Sequence, residues 1–219
     1  MASEYVAVRH RDRGNTPEVP PWRVVGVVDG TQLTYLPSTP NGAPTSIGSK
    51  QLVKFNASGP FVVKSQDAQH PFYFAAHMMS GNNAAANFTG DPEHVNVIPP
   101  AQWLQSYVFM ADPTMKNTNV VLVRGKASDN TYKDVQLDCL GAAVSGWQTI
   151  SGSDYQYTNV DLARGGSGIN GCDNGRRTAT SAWPFALTLW GYDSFVSYAY
   201  PGGASVRPIN GIILPTNDQ

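Results

Sequence analysis

Charged residues are scarce in this chain, and their scarcity excludes several classes of function. Asp, Glu, Lys and Arg make up 14% of the 219 residues, well below the roughly 25% of an average soluble domain. The formal net charge of −1 provides no basic surplus for a phosphate backbone, so we expect no nucleic-acid partner. No apolar run approaches the roughly 18 residues of a membrane helix, so we expect no membrane insertion.

Sustained helical periodicity is also missing, which predicts minimal helix. No stretch of about 12 residues repeats its apolar positions with a period near 3.6. The 21 Gly and 16 Pro are typical of many strands joined by tight turns. Short runs rich in Val, Phe, Tyr, Trp and Thr lie between them. The pattern predicts an all-β, antiparallel sandwich architecture, with one helical turn over residues 101–106 behind Pro99 and Pro100.

Three aromatic-rich stretches predict β-hairpins. The clearest covers residues 183–203, where two apolar runs flank a predicted turn at residues 191–194. Residues 22–36 contain the hairpin signal Asp29-Gly30 between two strand-like runs. Residues 61–76 contain two further runs around an Asp-bearing turn.

The order of these stretches predicts an internal duplication. Ser3-Glu4-Tyr5-Val6 opens one half and Gln105-Ser106-Tyr107-Val108 opens the other. A unit of about 100 residues is the size of a small antiparallel sandwich. We therefore expect two similar, tightly packed β-sandwich halves, over residues 1–104 and 105–219. Strand-and-turn echoes also arise by chance in all-β chains, so coincidence stays the alternative.

Motifs of catalysis and metal binding are missing from the chain. It has no GxSxG, no Walker A loop and no GxGxxG after a strand, so we expect neither an enzyme nor a cofactor. The four histidines show no ligand spacing, so no metal centre is expected. The acidic loops around Asp91 and Asp112 leave two alternatives, calcium ligands or solvated and capping carboxylates.

The two cysteines, Cys139 and Cys172, are 33 residues apart. A bridge between them would join a Gly-rich loop to the end of a predicted strand, and chain entropy suggests a stabilisation of roughly 3–4 kcal/mol. Spacing alone leaves a disulfide and two free buried thiols as equal alternatives.

Aromatic side chains, 11% of the residues, are the feature that indicates ligand binding. Rings on loops stack on sugars or anchor a protein surface. Tyr192 and Asp193, at the predicted tip of the closing hairpin, and Trp103 are therefore our candidate ligand-binding residues. The alternative is that most of these rings fill the core.

An ordered series of short motifs covers nearly the whole chain. Its members are VVGVVDGTQLTY (24–35), GPFVV (59–63), GDP (90–92), PPAQW (99–103), SYVF (106–109), GW (146–147), VDL (160–162), PF (184–185), LWG (189–191) and SYAYPGG (197–203). The series resembles the IgGFc-binding protein N-terminal domain family, especially its bacterial members. The resemblance covers the C-terminal two thirds of that domain, so we expect that an upstream segment and a signal peptide precede this chain in its parent protein.

The resemblance implies an extracellular, non-enzymatic β-rich module of a large secreted or cell-surface protein associated with adhesion. It also implies a disulfide between Cys139 and Cys172. No binding residues of the family map onto this chain, and immunoglobulin binding stays open.

We therefore expect a binding or adhesion module that recognises a protein or glycan ligand outside the cell. One alternative is a structural module that self-associates through open strand edges. A second is a carbohydrate-active enzyme, which needs two acids about 5–10 Å apart in a cleft.

Overall fold

The computed structural model describes residues 1–83 and 85–212 and confirms the all-β class. A short 3-10 helix over Pro100–Gln102 overlaps only the start of the helical turn predicted at residues 101–106, because a strand begins at Leu104. Within the described ranges, no helix has the length and apolar character of a membrane span.

The first half of the chain forms two four-stranded antiparallel sheets. One sheet has the order β1-β6-β3-β4 and the other β5-β2-β7-β8. The strands are β1 (Glu4–Ala7), β2 (Pro21–Gly26), β3 (Thr31–Leu36), β4 (Ser46–Ile47), β5 (Leu52–Asn56), β6 (Phe61–Ser65), β7 (Phe72–Met78) and β8 (Glu93–Asn96).

Alternation of apolar residues along these strands builds a shared core between the two sheets. Every second residue of β2, β3 and β7 is buried, as expected for strands with one face on a dry interior. Trp22 lies at the centre, stacked on Phe74 at 5.4 Å and edge-on to Phe61 at 5.3 Å. Its indole N–H donates to the carbonyl of Ala57 at 2.9 Å, which satisfies its polar atom.

Two of the three predicted hairpins are wrong. β2 pairs with β5 and β7 whereas β3 pairs with β4 and β6, so the two strands around Asp29-Gly30 lie in different sheets. The same holds for β6 and β7 at residues 61–76. Each intervening turn carries the chain across the sandwich, and both flanking strands then direct an apolar face into the same interior.

The strands of the second half join into one branched antiparallel sheet of eight strands. Its main path is β11-β15-β10-β13-β12; β9 and β16 also pair with β15, and β14 pairs with β13. The strands are β9 (Leu104–Ala111), β10 (Asn117–Gly125), β11 (Val135–Leu137), β12 (Gln148–Thr149), β13 (Tyr155–Arg164), β14 (Ser167–Gly168), β15 (Gly175–Asp193) and β16 (Val196–Pro201).

The closing hairpin is confirmed, with a shifted turn. β15 and β16 pair from Thr188↔Pro201 to Asp193↔Val196. β15 therefore continues through Asp193, and the turn comprises Ser194 and Phe195 rather than residues 191–194.

β10 and β15 contribute alternate residues to two separate cores. Val121 and Val123 pack in the core that contains Trp22, whereas Val120 and Leu122 pack in a second core. In the same way Trp190 and Tyr192 face the first core, and Phe185, Leu187 and Leu189 face the second. A strand that is buried on both faces needs a continuous apolar run. β10 is buried without interruption from Thr118 to Val123, and its residues 120–123 form such a run.

The internal duplication and the boundary at 104/105 stay predictions. The core around Trp22 also holds Trp103, Val121 and Trp190, so it draws residues from both predicted halves. Residues 213–219 of the predicted second half lie outside the described residues.

The structure confirms the disulfide between Cys139 and Cys172. Cys139 follows β11, and Cys172 lies in the Gly-rich segment between β14 and β15. The bond therefore ties this segment to the sheet, where Cys172 is buried in the second core.

Candidate ligand-binding surfaces

The structure buries the two aromatic ligand-binding candidates and leaves Asp193 half-buried beside the β15–β16 turn. Tyr192 lies within β15 and is 2% exposed, and Trp103 is 7% exposed. The indole N–H of Trp103 donates to the carbonyl of Ile98 at 2.9 Å. Asp193 is half-buried and lies 3.4 Å from the ammonium of Lys116. Neither ring offers an exposed face, and ligand binding by these three residues stays a prediction.

A buried ionic cluster lies where the segment after β1 meets the second half of the chain. Arg13 donates to the Glu18 carboxylate from Nε at 3.0 Å and from Nη2 at 2.6 Å, and both side chains are inaccessible to solvent. His10 is 1% exposed, with its ring centre 5.3 Å from that of Trp190. Burial lowers the pKa of His10 to about 4, although the carboxylate of Glu18 opposes the shift.

The same arginine holds an exposed loop in place. Nη1 of Arg13 donates to the carbonyl of Thr89 at 2.7 Å. The next residue, Gly90, donates its N–H to the carbonyl of Asp193 at 2.7 Å, and Thr89 forms an isolated bridge with Ser194. These contacts fasten the loop before β8 to the β15–β16 turn.

Two phenylalanine rings project from this junction. Phe88 is 63% exposed and Phe195 is 50% exposed, and their ring centres are 5.9 Å apart. The neighbouring Val196 is 41% exposed. We name Phe88, Phe195 and Val196 the phenylalanine tip. The two rings lie side by side, Val196 follows Phe195 in the chain, and none of the three belongs to either core.

Both phenylalanines have left-handed backbone conformations. Their φ angles are 59° for Phe88 and 53° for Phe195. A bulky residue with a Cβ atom rarely adopts this region, which costs roughly 1–2 kcal/mol per residue. The structure thus keeps two large apolar side chains exposed on unfavourable backbone, a combination found at functional sites.

A polar groove of about 730 Å³ lies between the first half and β13. We name it the arginine groove, because Arg9, Arg11 and Arg164 line it. Four residues with amide or hydroxyl side chains also line it: Gln148, Tyr157, Thr158 and Asn159. The volume lies within the range of roughly 300–1,000 Å³ that is typical of small-ligand sites.

Tyr192 is close to two arginines of this groove, Arg11 and Arg164. Burial raises the pKa of its hydroxyl, and the nearby guanidinium groups of Arg164 and Arg11 oppose that shift. The ring of this sequence-predicted residue belongs to the core that contains Trp22 and does not line the groove.

The acidic loops form no metal cluster within the described ranges. No group of three His, Cys, Asp or Glu side chains gathers there in an arrangement that would hold an ion. The carboxylate of Asp112 accepts hydrogen bonds from the N–H and hydroxyl of Thr114, at 2.8 and 2.7 Å, and so caps its turn. Asp91 donates its backbone N–H to the hydroxyl of Ser197 at 3.2 Å.

Sequence reasoning missed both the phenylalanine tip and the arginine groove. The signal for the tip is that Phe88 and Phe195 stand among the turn-forming residues Asn87, Gly90 and Ser194, where an apolar ring is exposed. No local signal marks the groove, because its arginines come from positions 9, 11 and 164 and only the fold brings them together.

Comparison with protein families settles the relationship of the chain. The family model described as IgGFc binding protein matches residues 1–191. The chain belongs to this family. Membership supports the prediction of a binding module rather than an enzyme. No curated protein and no solved structure matches the chain.

Proposed function

We propose that this chain is a non-enzymatic binding module of an extracellular protein and that its ligand is a protein. Family membership supports binding as the function. The Cys139–Cys172 disulfide supports an oxidising, extracellular location. The observation that carries the proposal is the phenylalanine tip, which keeps two large rings exposed at the junction of two chain segments.

The tip has the properties of a protein-binding hot spot. Aromatic side chains in a small cluster provide most of the binding energy at many interfaces, because they bury a large apolar area with few rotatable bonds. The loop that bears Phe88 is held by Arg13 and by the β15–β16 turn. The chain therefore loses little conformational entropy when it binds a ligand there.

The direct test is an array of purified secreted and cell-surface proteins, with the immunoglobulin G Fc fragment as one member. Any partner found there is then measured by surface plasmon resonance against the wild-type chain and against Phe88→Ser/Phe195→Ser. We expect the double variant to bind at least about tenfold more weakly, the loss typical of a hot spot.

The control variant is Val108→Ser/Met110→Ser, which makes the same kind of change at two exposed residues of β9. We expect it to bind as the wild type does. Absence of any partner would overturn the proposed function, and a partner that binds the Phe88/Phe195 variant equally well would overturn the role of the tip.

Self-association is the alternative that the same apolar surface permits. Light scattering over a range of concentrations separates the two functions. We expect a monomer mass at every concentration. A mass that rises with concentration, and falls back in the Phe88/Phe195 variant, would favour a structural, self-assembling module instead.

A further inference from the structure

The arginine groove has charged groups that the phenylalanine tip does not use. Of its three arginines, Arg9 is neutralised within the protein. Its guanidinium contacts both carboxylate oxygens of Asp12, at 2.8 and 2.9 Å, and donates to the carbonyl of Ser58 at 2.8 Å. Arg9 therefore fixes the wall of the groove between the segment after β1 and the turn before β6.

The other two arginines share a single carboxylate. Nη1 of Arg11 lies 3.2 Å from Oδ2 of Asp161, and Nε of Arg164 donates to the same oxygen at 3.0 Å. Two guanidinium groups on one carboxylate leave one positive charge in excess. Within the part of the chain that the structure describes, neither group has a second carboxylate partner.

The excess charge is accessible from the groove. The side chains of Arg11 and Arg164 are 43% and 35% exposed, whereas Asp161 between them is 13% exposed. The carboxylate thus orients the two guanidiniums from below, and their remaining N–H donors are available to a ligand. Paired guanidiniums bind a carboxylate or sulfate through several charge-assisted hydrogen bonds.

The rest of the lining favours a sugar over a peptide. The Tyr157 ring can stack on a sugar, and beside it Val8 and Pro60 are the largest apolar side chains among the lining residues, so the groove has few of the apolar groups that anchor a peptide. The hydroxyl of Tyr157 donates to Gln148 at 2.6 Å, and Thr158 donates to the carbonyl of Ser145 at 3.1 Å. Pre-oriented hydroxyl and amide groups of this kind match the hydroxyl groups of an oligosaccharide.

We propose that the arginine groove is a binding site for an acidic oligosaccharide, with Arg11 and Arg164 on its carboxylate or sulfate group. This site is separate from the phenylalanine tip, and its occupancy does not depend on the proposed protein ligand.

Isothermal titration calorimetry with four probes tests the site. The probes are a trigalacturonate, a heparin-derived tetrasaccharide, neutral maltotriose and a triglutamate peptide. We expect binding of at least one acidic oligosaccharide, at least about tenfold tighter than maltotriose and weakened by added salt. The first two probes distinguish a carboxylate from a sulfate as the recognised group.

Variants assign the binding to the two arginines. Arg11→Gln and Arg164→Gln are each expected to weaken binding at least about tenfold, since each removes charge-assisted hydrogen bonds. Arg176→Gln removes an exposed positive charge on β15 outside the groove and is expected to leave the affinity unchanged. Phe88→Ser/Phe195→Ser is expected to retain oligosaccharide binding, which separates this test from that of the proposed function.

Circular dichroism confirms that each variant is folded before its affinity is compared. Equal affinity for maltotriose and the acidic sugars would overturn the proposal, as would unchanged affinity in both groove variants. Tighter binding of triglutamate than of either acidic sugar, or no binding of any probe at millimolar concentration, would overturn it as well.

Discussion

Glu18 and Arg13 form an ion pair that is completely shielded from solvent. Four hydrogen bonds join them, from the backbone N–H of Arg13 at 3.0 Å, from Nε to the two carboxylate oxygens at 3.0 and 3.2 Å and from Nη2 at 2.6 Å. The same guanidinium reaches the carbonyl of Thr89, so the pair connects the segment after β1 to the loop that carries Phe88.

Removal of one partner from this pair is expected to be costly. Glu18→Ala leaves the Arg13 guanidinium buried without a carboxylate, and we expect the free energy of unfolding to fall by about 3–5 kcal/mol. Urea denaturation followed by tryptophan fluorescence measures the change.

The double variant Arg13→Met/Glu18→Leu removes both charges, so its free energy of unfolding is expected to fall by less than that of Glu18→Ala. Lys64→Ala is the control, because it breaks the partly exposed Lys64–Glu4 pair and is expected to change stability by less than about 1 kcal/mol. A loss below about 1 kcal/mol in Glu18→Ala would contradict the structural role of the buried pair.

Loss of the disulfide is expected to weaken the fold by restoring entropy to the unfolded chain. For a separation of 33 residues, Cys139→Ser/Cys172→Ser should lower the free energy of unfolding by about 3–4 kcal/mol. Chemical denaturation with and without dithiothreitol provides the measurement. The reductant should destabilise the wild type and leave the double variant unaffected; equal effects on both would argue against the bond.

Acid is expected to destabilise the protein through His10 between about pH 6.5 and pH 4. The pKa of His10 is about 4 in the folded state and 6.5 in the unfolded state, so the unfolded chain binds the extra proton in this window. Stability therefore falls as the pH is lowered through it, by an amount on the order of 3 kcal/mol for a group this deeply buried.

His77, whose pKa burial also lowers to about 4, contributes in the same window. Thermal unfolding of the wild type, His10→Asn and His77→Asn from pH 4 to 7 separates the two contributions. Asn retains a donor near the Arg11 carbonyl, which His10 Nδ1 contacts at 2.8 Å. A His10→Asn profile as steep as that of the wild type would contradict the assignment.

Glycine is expected to give a more stable protein than alanine at position 195 and a less stable one at position 196. Both substitutions at Phe195 lose the same ring, but only alanine keeps a Cβ atom at a φ of 53°. We expect Phe195→Gly to be more stable than Phe195→Ala by about 1 kcal/mol.

Val196 lies in the extended strand β16, where Val196→Ala should be more stable than Val196→Gly by about 0.5–1 kcal/mol. Thermal unfolding of the four single variants compares the two positions. If the alanine variant is more stable than the glycine variant at both positions, the backbone at Phe195 is unstrained.

Several features of this protein are determined by its sequence alone. The all-β class and the closing hairpin follow from β-branched and aromatic runs between Gly and Pro residues, since these preferences act within a few residues of the chain. The ordered motifs were sufficient to identify the family, and with it the disulfide between Cys139 and Cys172.

Only the tertiary structure decided which strands are neighbours and which side chains are exposed. Alternation along β2 and β3 indicates that one face of each is buried, but it does not indicate whether the two strands pair or face each other across a sandwich. Tyr192 is buried because β15 has a core on both sides, while Phe195, three residues later, is exposed. The arginine groove unites positions 11 and 164 because strand pairing is non-local, and no local pattern in the sequence encodes that proximity.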